Sequence, residues 1–133
     1  MPVVNTPENV AQYISDNVAG LTIGTNVFYG QLGSTPTNQI CVSPGAGPRP
    51  RRNVSLSSEI YFPVVHIYIR WNDYEDGYAH SISLRDLLEQ AALSGPLASY
   101  MDCELHGSEP TSLEPTQDGQ HLWMLTCMLT YEA

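Results

Sequence analysis

Ile60-Tyr61-Phe62-Pro63-Val64-Val65-His66-Ile67-Tyr68-Ile69-Arg70-Trp71 is the stretch on which the fold turns. Side chains alternate across a strand, so Val65, Ile67, Ile69 and Trp71 point one way and Val64, His66, Tyr68 and Arg70 the other. The first set predicts a dry core face; the second is mixed. Directly after it, Asn72-Asp73-Tyr74-Glu75 reads as a helix start, with Asn72 as cap and Glu75 at the capping-box position. Leu84, Leu87, Leu88 and Ala91 recur at helical spacing, so this helix is expected to reach about Leu93, where Ser94-Gly95-Pro96 stops it.

Towards the amino terminus, Ser43 to Arg52 holds three Pro, two Gly and three Arg. That composition suits neither a helix nor a central strand, so residues 43–60 are expected to form an irregular arm or the tip of a long hairpin. Before it, Asn26 to Leu32 and Gln39 to Ser43 read as strands around a turn-rich connection, the second stopped by Pro44. Thr6 is placed as the cap of a first helix, Pro7 in its first position and Val10, Tyr13, Ile14 and Val18 on its apolar stripe, with Gly20 ending it.

Towards the carboxy terminus, Ala98 to His106 is expected as a strand, followed by a loop carrying Glu109-Pro110 and Glu114-Pro115 and a turn at Asp118-Gly119. Leu122 to Glu132 closes the chain as a strand. Trp123, Leu125, Cys127, Leu129 and Tyr131 make one wholly apolar face; Leu122, Met124, Thr126, Met128 and Thr130 make a second that is greasier than a solvated face. The order predicts an α+β fold: a mixed, mainly antiparallel sheet, two helices packed on one face, and an extended hairpin arm between strands. One domain spanning residues 1–133 is expected.

Composition narrows the function. Of 133 residues, 42% are hydrophobic and only 14% charged, as in a folded domain that covers much of its surface with partners. Fourteen acids stand against five cations, all Arg, and the formal charge of −9 disfavours general nucleic-acid binding. Eight Tyr dominate the aromatics and suit protein interfaces. No apolar run is long enough for a membrane span, and the start has no signal-peptide pattern. Cys41, Cys103 and Cys127 read as reduced thiols; of the Cys and His residues only Cys103 with His106 approaches metal-ligand spacing, so no metal or cofactor is expected. There is no nucleophile elbow, phosphate loop or zinc-protease motif, and Asp73, Glu75 and Asp76 are explained by the helix dipole, so an enzyme is not expected.

Two sets of residues are candidates for an interface. Arg49, Arg51 and Arg52 gather three of the five cations on the arm, where guanidinium groups can pair with carboxylates of a neighbour, face DNA, or simply be solvated. Leu122, Met124 and Met128 lie on the second face of the last strand, either under a helix of the same chain or against another subunit.

Three stretches also resemble a known family, the tail terminator and minor capsid (neck) proteins of long-tailed bacteriophages. They are Leu21 to Gly30 after the first helix, the Gly45–Arg52 stretch followed by Phe62 to Arg70 and the acidic-aromatic Asp73-Tyr74-Glu75-Asp76, and Leu113 to His121 before the final strand. The family's charged turn often carries Arg where this chain has Gln120 and His121. The resemblance implies a structural virion protein, made in the host cytoplasm and built into the neck. It implies a homo-oligomeric, hexameric ring that caps the tail tube, ends its polymerisation and meets the head completion or stopper protein. DNA would pass through the channel without sequence-specific binding. A neighbouring connector or stopper of the neck is the alternative, and a small host α+β enzyme or ligand-binding domain a more remote one.

Overall fold

The final strand organises the sheet, because three other strands pair with it. The structure, a computed structural model, describes residues 5–33, 36–47, 51–52, 59–89, 94–113 and 119–132, without the side chains of residues 51, 52 and 108. Its elements are α1 (Thr6–Asn17), β1 (Val27–Tyr29), β2 (Gln39–Gly45), β3 (Arg51–Arg52), β4 (Glu59–Tyr61), β5 (Val64–Trp71), α2 (Tyr74–Glu89), a 3-10 turn (Gly95–Leu97), β6 (Asp102–Leu113) and β7 (His121–Glu132). β1 runs parallel to β2; the other pairings between these strands are antiparallel, in the path β1-β2-β5-β7-β4-β3 with β6 also on β7. The chain is therefore an α+β protein with a mixed, mainly antiparallel sheet of seven strands.

The expected strand from Ile60 to Trp71 is interrupted at Phe62-Pro63, yet it keeps one register. Tyr61 faces Tyr131 and Val64 faces Met128, so both strands advance equally across the break. Proline has no N–H to give the ladder, but the Pro63 carbonyl accepts from Leu129 N at 2.9 Å. Proline also fails to stop β2: Pro44 sits opposite Val65 inside the strand. β1 reaches only to Val42 on the other side, so Pro44 occupies an edge position that needs no second donor.

Helix starts differ from expectation by one residue each. Asn5, not Thr6, caps α1, its Oδ1 accepting from Glu8 N at 3.1 Å. Thr6 is instead buried, its hydroxyl 2.9 Å from the Tyr100 hydroxyl. Asp73, not Asn72, caps α2, accepting from Asp76 N at 3.1 Å, while Asn72 N donates to Asn38 Oδ1 at 2.9 Å. α1 ends at Asn17, before Gly20, and Ala91 and Leu93 lie outside the described residues. β1 is shorter than the expected Asn26–Leu32, because Gly30 turns the chain at φ 105°.

Both helices lie on one face of the sheet. Val10, Ala11, Tyr13 and Ile14 of α1 and Leu84 and Leu88 of α2 are buried with Ile40, Val42, Val65, Ile67, Ile69, Trp123, Leu125 and Leu129 in one apolar cluster. Gly77 lets α2 approach closely: a Cβ there would strike the Trp123 ring and the Cβ of Trp71. The strand expected from Ala98 begins only at Asp102, because Leu97 and Tyr100 turn into the core first. The expected loop at Glu109-Pro110 is instead part of β6. There β6 spends five steps, His106 to Thr111, against two on β7, Thr126 to Met124. Gly107, at φ 88°, starts that irregularity, and an edge strand tolerates the proline. Glu114, Pro115 and Asp118 lie outside the described residues; Gly119 has the positive φ of a turn, 78°.

Candidate functional site

Strand alternation that fills the core also arrays a second set of side chains on the opposite face. Four rows cross it: Gln39, Arg70, Leu122 and Leu113; Cys41, Tyr68, Met124 and Thr111; Ser43, His66, Thr126 and His106; Gly45, Val64, Met128 and Glu104. Among the described residues no helix covers this face. Cys41 and Val64 are buried within it, and burial pushes the Cys41 thiol upwards. Leu122, Met124, Met128, Tyr68, His66 and Thr126 are all half-buried. His66 Nδ1 and Thr126 Oγ1 are 3.1 Å apart, which ties the third row across β5 and β7.

One corner of the face is sealed by the chain itself. Gln39 and Arg70 stand opposite each other and are 1% and 7% exposed. Arg70 donates to the carbonyls of Thr37 at 3.0 Å and Pro36 at 2.9 Å, and Gln39 Nε2 to those of Gly33 at 3.0 Å and Pro36 at 2.6 Å. These bonds supply the loop before β2 with partners that a sheet ladder would otherwise provide. Beside them a shallow depression of about 670 Å³ is lined by Leu32, Pro44, Tyr68 and Leu122 among others. Sequence reasoning placed Leu122 and the two methionines on the right face but missed this loop. Its only signal was a charged and an amide side chain on otherwise apolar strands.

The arm leaves the sheet at the far end of β7. β3 pairs with β4, and β4 with the last residues of β7, so a hairpin extends the sheet beyond β5. Arg51 and Arg52 form β3, while Arg49 lies outside the described residues. The arm's root is held by aromatic contacts. Tyr61 stacks on Tyr131 at 5.1 Å, and Tyr131 meets the edge of Tyr100 at 5.7 Å. The Tyr100 hydroxyl in turn bonds Thr6 and Asn9 of α1, at 2.9 and 3.0 Å. Tyr61 also donates to Glu59 at 2.6 Å, and that bond with the carboxylate's charge raises its phenol above the ordinary value.

A second exposed cluster lies at the start of α2. Tyr74 and Tyr78 stack with their planes 3° apart, and Tyr74 also meets His121 and Trp123 at 5.3 and 5.4 Å. At 51% and 40% exposure these are two of the four exposed large apolar side chains among the described residues. The acidic-aromatic stretch was legible and one helical turn separates the tyrosines, but only the fold sets Tyr74 against His121 and Trp123 of β7. Cys103 and His106, which approach ligand spacing in the sequence, lie on opposite faces: Cys103 faces the core, whereas His106 belongs to the open face. Among the described residues no three His, Cys, Asp or Glu side chains gather as metal ligands would.

No model of a known protein family matches the sequence, and no curated protein matches it significantly.

Proposed function

We propose that this protein is a structural subunit of the neck of a long-tailed bacteriophage, a tail terminator that works as a closed ring and catalyses nothing. The single observation that carries the reading is the open sheet face. Leu122, Met124, Met128 and Tyr68 stand half-buried, with the His66–Thr126 row among them, on a sheet face beside the β3–β4 hairpin that no helix covers among the described residues. An extensive face of this kind is expected where subunits meet. The sequence resemblance supplies the class of assembly, and the arm supplies reach.

The mechanism is geometric. In a ring, each copy uses two different surfaces, and contacts that return on themselves end growth where an open stack would continue. One ring face matches the end of the tail tube; the other meets the head completion or stopper protein and must fail to recruit more tube subunits. Arg49, Arg51 and Arg52 place positive charge on the arm of an otherwise acidic subunit, matched to carboxylates of the neighbouring copy. A hexamer would carry a formal charge of about six times −9, which keeps the channel from holding passing DNA.

Electron microscopy of the virion with this chain labelled is the deciding experiment. Label at the junction of head and tail tube is expected; label elsewhere, or none, overturns the reading. Replacing Arg49, Arg51 and Arg52 together by Ala is expected to prevent ring closure or neck assembly. Normal yields of infectious particles from that variant would remove the arm from the mechanism.

A further inference from the structure

Cys103 and Cys127 lie on the neighbouring strands β6 and β7, one diagonal step from direct register: Cys103 faces Leu129, and Leu105 faces Cys127. Both side chains point to the helix-covered side, and their sulfurs are 3.1 Å apart. The two thiols are unequal in access. Cys127 is buried, whereas Cys103 keeps part of its surface in solvent. They are unequal in acidity too. The hydrogen bond from Cys127 holds the Cys103 thiol below its ordinary value, while the same bond and burial push Cys127 up. One partly exposed sulfur whose thiol is the more acidic of the two, backed by a sheltered second thiol, is the arrangement of an attacking and a resolving cysteine.

We propose that Cys103 and Cys127 form a redox pair that closes into an intramolecular disulfide when the protein meets a small-molecule disulfide of the glutathione class. The Cys103 thiolate attacks one sulfur of the small disulfide, forming a mixed disulfide and expelling one small thiolate. That thiolate takes the proton of Cys127. The Cys127 thiolate then attacks Cys103 Sγ and expels the second small thiolate, which takes from solvent the proton that Cys103 had released. Two protein thiols are oxidised to one disulfide, and one small disulfide is reduced to two thiols.

The register sets the character of this bond. Diagonal partners on antiparallel strands sit roughly 7–8 Å apart at Cα, just beyond what a disulfide spans without backbone movement. Closure therefore requires β6 to slide slightly along β7. β6 is suited to that, because among the described residues it pairs only with β7, and its register already breaks between His106 and Thr111. A bond closed under strain is readily reduced, so the staple is reversible rather than permanent. Cys41 takes no part, since it lies on the opposite face of the sheet, on β2. The inference does not depend on the neck reading.

The test uses the full chain, reduced and then incubated with oxidised glutathione, with alkylation and mass spectrometry as readout. The alkylatable thiols are expected to fall from three to one, at Cys41. The chain should lose about 2 Da, and a mild thiol reductant should restore all the thiols. The Cys127→Ser variant should stop at a stable mixed disulfide on Cys103, and Cys41→Ser should still close the bond. Full alkylation after oxidation, a lasting glutathione adduct on the unaltered chain, or a disulfide between chains would each overturn the proposal. The unaltered chain decides the matter even if a variant fails to fold.

Discussion

On β7, Trp123, Leu125, Cys127 and Leu129 are sealed under the helices, while Leu122, Met124, Thr126, Met128 and Thr130, interleaved with them, keep part of their surface in solvent. The same contrast runs along β5, where Ile67 and Ile69 are fully buried and His66 and Tyr68 are not. One face is therefore closed within the chain, and its packing contributes to folding whatever else is present. The other is sealed at one corner, by the Arg70 and Gln39 bonds to the loop before β2, and among the described residues no helix covers it. The difference teaches where stability ends and association begins. Residues one position apart in sequence serve the two purposes because a strand turns them to opposite sides.

The contrast can be broken most directly by paired substitutions on β5. Ile67→Ala is expected to cost about 2–5 kcal/mol in denaturant unfolding, since it opens a cavity under the helices. Its neighbour Tyr68→Ala should cost about 1 kcal/mol or less, as half-exposed positions do. Equal losses at the two positions would mean that the faces are not energetically distinct.

Gly77 tests why the covered face closes so tightly. Alanine in a helix interior gains roughly 0.5–1 kcal/mol over glycine by propensity. The added Cβ must displace the rigid Trp123 ring and the Cβ of Trp71, and such overpacking costs about 1–3 kcal/mol. Net destabilisation of Gly77→Ala is expected in thermal or urea melts; net stabilisation would show that α2 can lift without loss.

The open face is sharpened by Met124→Ser with Met128→Ser. Unfolding free energy should shift by about 1 kcal/mol or less. Self-association, followed by sedimentation or light scattering, should weaken at least tenfold, about 1.4 kcal/mol. Association unchanged by this pair would move the interface elsewhere.

The smallest effect is expected at the rim of the covered face, where His80 packs on Trp71 at 4.3 Å. Burial lowers the His80 imidazole below its ordinary value, with the Asp76 charge opposing. As pH falls below about 6.5 the unfolded chain takes up this proton first. Stability contributed by the neutral ring is thus present above that pH and lost as pH falls towards the lowered folded value. Thermal melts from about pH 7.5 to 5 should fall less steeply for His80→Gln than for the unaltered chain. Parallel slopes would remove His80 as the cause.

Much of this contrast was legible in the sequence. Alternation along residues 60–71 and 122–132 assigned Ile67, Ile69, Trp123 and Leu125 to the core and Leu122, Met124 and Met128 to the other side, because a period of two follows from backbone geometry alone. The two helices, their apolar stripes and the arm's proline and arginine content were equally local signals. The caps slipped by one residue because Asn5, Thr6, Asn72 and Asp73 are all competent cap residues, and only packing chooses among them.

What tertiary structure alone decided is everything that joins residues far apart in the chain. Thr6 became a buried partner of Tyr100 rather than a cap, and Arg70 a clasp for a loop more than thirty residues upstream. Pro44 and Pro63 stayed in register because each met an edge or a gap where no donor was required. The sequence determined which side chains share a face; which face remained open depended on where α1 and α2 came to rest. Hydrophobic pattern records what a residue can bury, but only long-range packing fixes what buries it.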